Sequence, residues 1–217
     1  VLYPAMESRS LDIIIGKGPS ARTIQLELPA FTLIGATTRV AMLSSPLRSR
    51  FSGGVFRLEF YNPEEIKKII KRSSGILGVS MNEKATQIIA NRSRFTPRTA
   101  KYLLKRARDY AQINKKNIDE EVVHEAFNLL GIDEAGLNAS DVALLKTIAQ
   151  KFRGGPVGLN TLAASLSEEE ATIEEFNEPY LLQIGFLERT PRGRILTKIA
   201  YEHLGLKFPE DRQEKLL

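Results

Sequence analysis

The sequence predicts an α/β segment followed by an all-α remainder. In order, these are the end of an α/β core with a protruding β-hairpin, a four-helix bundle and a C-terminal winged-helix domain. Three observations predict this. Up to residue 61 the apolar residues fall in short runs or strict alternation, the patterns of strands. From Asn62 the period becomes helical, and each stretch opens on helix-start signals. Near the C-terminus, three helical stretches precede two short runs joined by a Pro-Gly turn, which is helix-turn-helix with a wing.

Residues 9–28 read as the hairpin. LDIII is apolar, GKGPSA is dense in turn formers, and RTIQLEL alternates. Ile24, Leu26 and Leu28 share one face, and Thr23, Gln25 and Glu27 the other. The hairpin either shields a core or protrudes, with Ile13 to Ile15 docking a partner. FTLIGA, Phe31 to Ala36, reads as a buried strand, and VFRLEF, residues 55–60, as another. Asn62-Pro63-Glu64-Glu65 starts a helix buried through Ile66, Ile69 and Ile70. A second helix starts at Ser80 with Glu83 completing a capping box, and buries Ala85, Ile88 and Ile89. A third runs from Thr96-Pro97 to about Asn114, burying Ala100, Leu103, Leu104, Ala107 and Ala111. A fourth, Asp119 to Leu130, buries Val122, Val123, Ala126 and Phe127. Gly131 to Ser140 is a linker by composition. Helices follow at Asp141–Phe152, Leu159–Leu166 and about Glu169–Gln183, with Pro179 expected to kink or break the last. FLER and RILT flank the wing turn, and a final helix lies near Tyr201. The expected domains are 1–61, 62–133 and 134–208, with a frayed tail at 209–217.

Composition excludes several classes. The 217 residues contain no cysteine, so disulfides and cysteine-based metal sites are excluded, and with two histidines, His124 and His203, a histidine metal site is not expected. No stretch reaches membrane-spanning length and no signal peptide opens the chain. Val1 begins in what reads as mid-helix, so the sequence is expected to be the back portion of a longer protein. Net charge is +5, but it is unevenly spread. Residues 134–217 hold ten basic and thirteen acidic groups, so any DNA site must be argued locally.

Phe31 to Phe51, FTLIGATTRVAMLSSPLRSRF, concentrates the polar chemistry. A hydroxyl at a strand end, Thr38, can hold a lytic water or a terminal phosphate oxygen, or simply cap a turn. Arg50 follows a proline-led turn and is pinned by Leu47 and Phe51. It can meet a transferring phosphoryl group, or form a surface salt bridge. Arg98 lies in the first turn of a helix, where anions are favoured, or is plainly solvated. Tyr61 can stack on a base, or fill a boundary of the core. Arg189, Arg192 and Arg194 surround the wing turn, suited to phosphate backbone or to solvent.

The stretches LYPAME, LDIIIGKGPSAR, GATTR, SSPLRSRF, RLEFY, TPR, GGPVGL and EPYLLQIGFLERTPRGR, with their spacing, closely resemble the RuvB family. That family comprises bacterial AAA+ ATPases that branch-migrate Holliday junctions, and the likeness runs nearly end to end. The resemblance implies that Thr38 is sensor 1 and Arg50 an arginine finger reaching the adjacent subunit's ATP. It implies that Tyr61 contacts adenine, that Arg98 is sensor 2, and that Glu7, Ser8 and Arg9 lie near nucleotide. It makes the 9–28 hairpin the dock for RuvA and gives Arg189, Arg192 and Arg194 to DNA. It further implies ATP and Mg2+, a homohexamer on duplex DNA at Holliday junctions, RuvC in a resolving complex, and a bacterial cytoplasmic setting in recombination, repair and the SOS response.

The chain departs from the family pattern at Ser8, at Phe95 where glycine is common, at Ser52-Gly53-Gly54, and at Glu170 where a basic residue is common. It contains no GxxxxGK[ST] loop, so the fragment alone is expected not to hydrolyse ATP. The loop and the Mg2+ ligands are expected upstream of Val1. Two other readings remain: a non-enzymatic winged-helix DNA-binding module, and a different AAA+ initiator or loader.

Overall fold

The computed structural model describes residues 2–16, 18 and 22–209. Most of the hairpin turn (17 and 19–21) and the charged tail from residue 210 lie outside the described residues. The chain divides into two compact units, Val1–Glu59 and Phe60–Leu217.

In the first unit, α1 (Leu2–Glu7) leads into β1 (Ser10–Ile15), paired antiparallel with β2 (Arg22–Glu27). Ser10 faces Glu27 and Ile13 faces Ile24. The register puts Leu11, Ile13, Ile24 and Leu26 on one face. Ile13, Ile24 and Leu26 are all exposed, so the hairpin presents its apolar side rather than sealing a core with it. A single 3-10 turn (Val40–Met42) and α2 (Ser45–Ser49) follow.

The strands expected at Phe31–Ala36 and 55–60 are not formed. Ile34 is 88% exposed and Leu58 91%. The physical reason is that a strand is a relation between two segments. Among the described residues neither run has a ladder partner, and its backbone groups are left to water.

The second unit begins with four helices, α3 (Pro63–Ile76), α4 (Glu83–Asn91), α5 (Pro97–Ile113) and α6 (Glu120–Leu129). Asn62 caps α3 in a reciprocal capping box with Glu65. Ile66, Ile70, Ile89, Leu103, Leu104, Val122, Val123 and Phe127 form its fully buried core. The cap of α4 is Asn82, not Ser80, because Met81 is held extended by a parallel bridge to Ile118. The helix can begin only after that bridge.

The winged helix follows. Asn138 and Asp141 form a capping box opening α7 (Ala139–Lys151), ahead of α8 (Leu159–Leu166). The third helix is composite: α9 (Glu170–Thr172), a π-helical turn (Ile173–Asn177) and α10 (Glu178–Gln183). Pro179 does interrupt the regular α-helix, which gives way to the π turn just before it and resumes with Pro179 in the first turn of α10. The widened turn falls where proline lacks an N–H and would clash with a carbonyl four residues back. β3 (Leu187–Thr190) and β4 (Gly193–Leu196) make the wing, with Val157 bridging to Arg194 as a third edge, and α11 (Lys198–His203) closes the domain. Among the described residues no helix is long and apolar enough to cross a membrane.

Backbone crowding fixes the wing. Gly193 has φ 131, and a Cβ there would lie 2.3 Å from the Val157 carbonyl oxygen. Gly193→Ala is expected to cost about 1–3 kcal/mol, the range for a residue forced into that region. An unchanged urea midpoint for the variant would disprove the close approach.

Candidate functional site

Arg50 is positioned by local sequence. Ser44 and Pro46 start α2, and Arg50 is its C-cap residue. Its guanidinium donates to the Pro46 carbonyl at 2.6 Å and ion-pairs with Glu7. It also lies 4.7 Å over the Tyr3 ring, and Tyr3 is tied to Ser44 by a 2.9 Å hydrogen bond between hydroxyls. The salt-bridge alternative is therefore realised, with a specific partner. Yet the pair is partly exposed, and such pairs contribute about 1 kcal/mol at most. A phosphate oxygen, with more charge and better geometry for the fork, can take Glu7's place.

Thr38 is exposed, and the neighbouring Thr37 hydroxyl accepts from the Arg39 N–H at 3.0 Å. Ser8 donates to the Pro4 carbonyl and bonds the buried Ser10, so its hydroxyl is already engaged. Arg9 is exposed, with φ 53, and its carbonyl accepts from Leu28 at the base of the hairpin.

In the second unit, the backbone of Tyr61 meets the loop that leads into the helix carrying Arg98. The Tyr61 N–H donates to the Phe95 carbonyl at 3.3 Å, and its side chain is 43% exposed. One residue further on, Thr96 caps α5, accepting from Thr99. Arg98 sits exposed in the first turn, with no acidic residue in that turn. An exposed aromatic anchored at this loop suits a base, and an arginine at a helix N-terminus with no acidic partner among the described residues suits a polyphosphate. Among the described residues no three His, Asp or Glu side chains converge to hold a metal ion.

The wing separates its three arginines. Arg192 is exposed at the tip, its N–H donating to the Thr190 hydroxyl at 3.3 Å, and its guanidinium has no acidic partner among the described residues. Arg189 donates to Glu174 at 2.8 Å on the surface. Arg194 corrects the expectation of a DNA contact. It is 7% exposed and forked onto Glu178, itself 1% exposed. No face of it is left for a phosphate. Beside the wing, the third helix presents Glu169, Glu170, Glu174 and Glu175 to solvent, a surface that repels a groove lined by phosphates.

Sequence reasoning missed the contacts that organise both regions. Tyr3 and Glu7 around Arg50 leave no local signal, because they lie more than forty positions away. Asp141 is fully buried and is shared between Arg94, Asn177 and the Asn138 N–H. The only hint of it was the spacing Asn138-x-x-Asp141, a capping box. Tyr180 donates to the Ala135 carbonyl at 2.6 Å, and burial pushes its hydroxyl pKa up to about 12.

Three family models match in succession. They are the Holliday junction DNA helicase RuvB P-loop domain over residues 1–58, the RuvB AAA lid domain over 61–133, and the RuvB C-terminal winged helix domain over 134–205. The Holliday junction branch migration complex subunit RuvB of Dehalococcoides mccartyi (strain CBDB1) is 55% identical over 216 residues, covering 99% of this chain and 62% of that protein. A mutant Thermotoga maritima RuvB superimposes with TM-score 0.81 at 48% identity, over 96% of this chain and 65% of that one. The structure described as the Thermotoga maritima RuvB Holliday junction branch migration motor gives TM-score 0.78 at 51% identity, over 84% of this chain and 61% of that one. The chain thus spans rather less than two thirds of the relatives it matches.

Proposed function

Because the chain belongs to the RuvB family, we propose that it is the sensor, lid and winged-helix portion of a hexameric, ATP-driven DNA motor. That motor branch-migrates Holliday junctions in recombination and repair, in the bacterial cytoplasm. The observation that carries the reading is the tiling of the chain, from residue 1 to 205, by three RuvB domain models in order. In this reading Thr38 holds the lytic water or terminal phosphate of its own subunit's ATP. Arg50 leaves Glu7 to stabilise charge on the phosphoryl group transferring in the neighbour. Tyr61 stacks on adenine, and Arg98 reaches the polyphosphate of its own nucleotide. Glu7, by holding Arg50, is assigned to the finger more than to the nucleotide. Mg2+ accompanies ATP, and the described residues offer no set of ligands for it.

The exposed Ile13, Ile24 and Leu26 face supports the hairpin as the dock for RuvA. RuvC would join only in the resolving complex. Arg192, with Arg189, supports contact with the duplex backbone. The acidic surface of the third helix counts against a winged-helix regulator that reads the major groove, the non-enzymatic alternative.

The test uses the intact protein with ATP and a synthetic four-way junction. Junction conversion that needs ATP hydrolysis is expected, and its absence with RuvA present refutes the motor. The 217-residue chain alone, lacking a P-loop, is expected to show no Mg2+-dependent ATP turnover. For the wing, Arg192→Ala is expected to weaken duplex binding for every sequence and to lower the salt slope by about one. Identical binding isotherms at low and high salt would remove the wing from the interface.

A further inference from the structure

We propose that Arg94 and Phe95 are positioning residues that lock the winged helix to the nucleotide-facing end of the lid, so that the wing moves with the lid as one body. The inference rests on the motor reading for its purpose, but its geometry is independent of it. Arg94 and Phe95 lie between α4 and α5 and both have left-handed backbone, φ 52 and φ 55. Two successive non-glycine residues hold that conformation only where their surroundings over-determine it.

The surroundings do so from the winged-helix side. Arg94 Nε donates to the Gly136 carbonyl at 3.0 Å, and its Nη2 ion-pairs with the fully buried Asp141. Its guanidinium lies 5.0 Å from the Tyr180 ring, and the Phe95 ring lies 6.1 Å from the same ring. Phe95 belongs to the lid by sequence, yet it packs against the winged-helix core. Asp141 in turn accepts from Asn177 at 2.7 Å. Asn177 precedes Glu178, the residue that grips Arg194 of β4. On its other side, the Phe95 carbonyl receives the Tyr61 N–H, and Thr96 caps the helix that carries Arg98.

A continuous set of contacts therefore runs from Tyr61 and the start of α5 to the strand of the wing, part-buried at Arg94 and fully buried from Asp141 to Arg194. A second clamp, His203 to Asp133 at 2.8 Å, spans the same junction. Contiguity alone does not establish coupling, and the decisive quantity is whether the two domains keep one relative orientation.

The experiment places spin labels at Lys101→Cys on α5 and Lys198→Cys on α11 in the intact protein and measures the distance distribution with and without nucleotide. One narrow distribution, unmoved by nucleotide, is expected. Phe95→Gly keeps the left-handed backbone accessible while deleting the ring, and Arg94→Met with Asp141→Leu removes the charges together. Both are expected to fold and to broaden the distribution. Arg94→Met with Asp141→Leu is also expected to keep ATP hydrolysis and duplex affinity within about threefold while spending roughly tenfold more ATP, or worse, per base pair moved. A broad distribution in the unsubstituted protein overturns the lock, as does a narrow one in both variants or an unchanged ATP cost. If the unsubstituted protein neither hydrolyses ATP nor moves DNA, the motor reading fails, and the distance measurement still decides the lock.

Discussion

Arg50→Ala subunits are expected to bind ATP normally and to lose hydrolysis at the neighbouring site by roughly 10³–10⁵-fold, the range for removal of an arginine finger. What holds the Arg50 side chain at rest decides how readily it can reach a phosphate. Its resting partners are a main-chain carbonyl, the face of Tyr3 and Glu7. None compensates the charge deeply, so the cost of leaving them is small beside the charge developing on a transferring phosphoryl group. Hexamers mixed from wild-type and Arg50→Ala subunits distinguish the two possible assignments. If the finger acts in trans, a mutant subunit keeps its own site active wherever its neighbour is wild type. Activity that falls only at the mutant's own sites sinks the trans assignment. Glu7→Gln separates holding from chemistry. Losing the ion pair while keeping the acceptor is expected to change turnover by less than about tenfold, as befits a pair worth about 1 kcal/mol.

The helical bundle was legible because its determinants are local. Each start carries a capping side chain and each buried stripe keeps the 3.6 period, so the five residues expected to be buried on α5 are the five that are. The misplaced cap at Ser80 marks the limit. A long-range bridge from Met81 to Ile118 delayed the helix, and no local signal encodes it. The runs FTLIGA and VFRLEF failed for the same reason on a larger scale. Their composition states a preference for strand, but only a partner can satisfy it. In the sites, exposed Arg98 and Arg192 were readable, because an arginine at a helix start or turn tip depends on little beyond its own segment. The acids that pair with Arg50, Arg94 and Arg194 were not, since their positions depend on packing between distant elements.

The wing offered one local warning. Arg189 and Arg194 are directly opposed across β3 and β4, and like charges in that relation repel. Such a pair persists only if its charge is met from elsewhere. Glu174 and Glu178, four residues apart on the third helix, do this, one at the surface and one in the interior. The helix and the wing are therefore held by two charge pairs of very different worth. The exposed one can be surrendered to a phosphate at little cost. The buried one cannot, because each member would remain as an uncompensated charge in the interior.

Arg194→Met and Glu178→Gln singly are accordingly expected to destabilise the winged helix by about 3–5 kcal/mol. The natural probes are the ladder amides on β4. Arg194 N–H bonds the Val157 carbonyl at 2.8 Å and Leu196 N–H bonds the Gly154 carbonyl at 2.9 Å. At about 1.4 kcal/mol per decade, their hydrogen exchange should accelerate by roughly two to three and a half orders of magnitude, provided they open with the whole domain. The double variant Arg194→Met with Glu178→Leu should recover most of the loss, since both charges leave together. Arg192→Ala should leave the same amides protected while weakening duplex binding, so the two arginines should trade phenotypes. If instead Arg194→Met left protection intact and cost duplex affinity with a reduced salt slope, Arg194 would be a phosphate contact after all, and the buried pair would have to open on DNA.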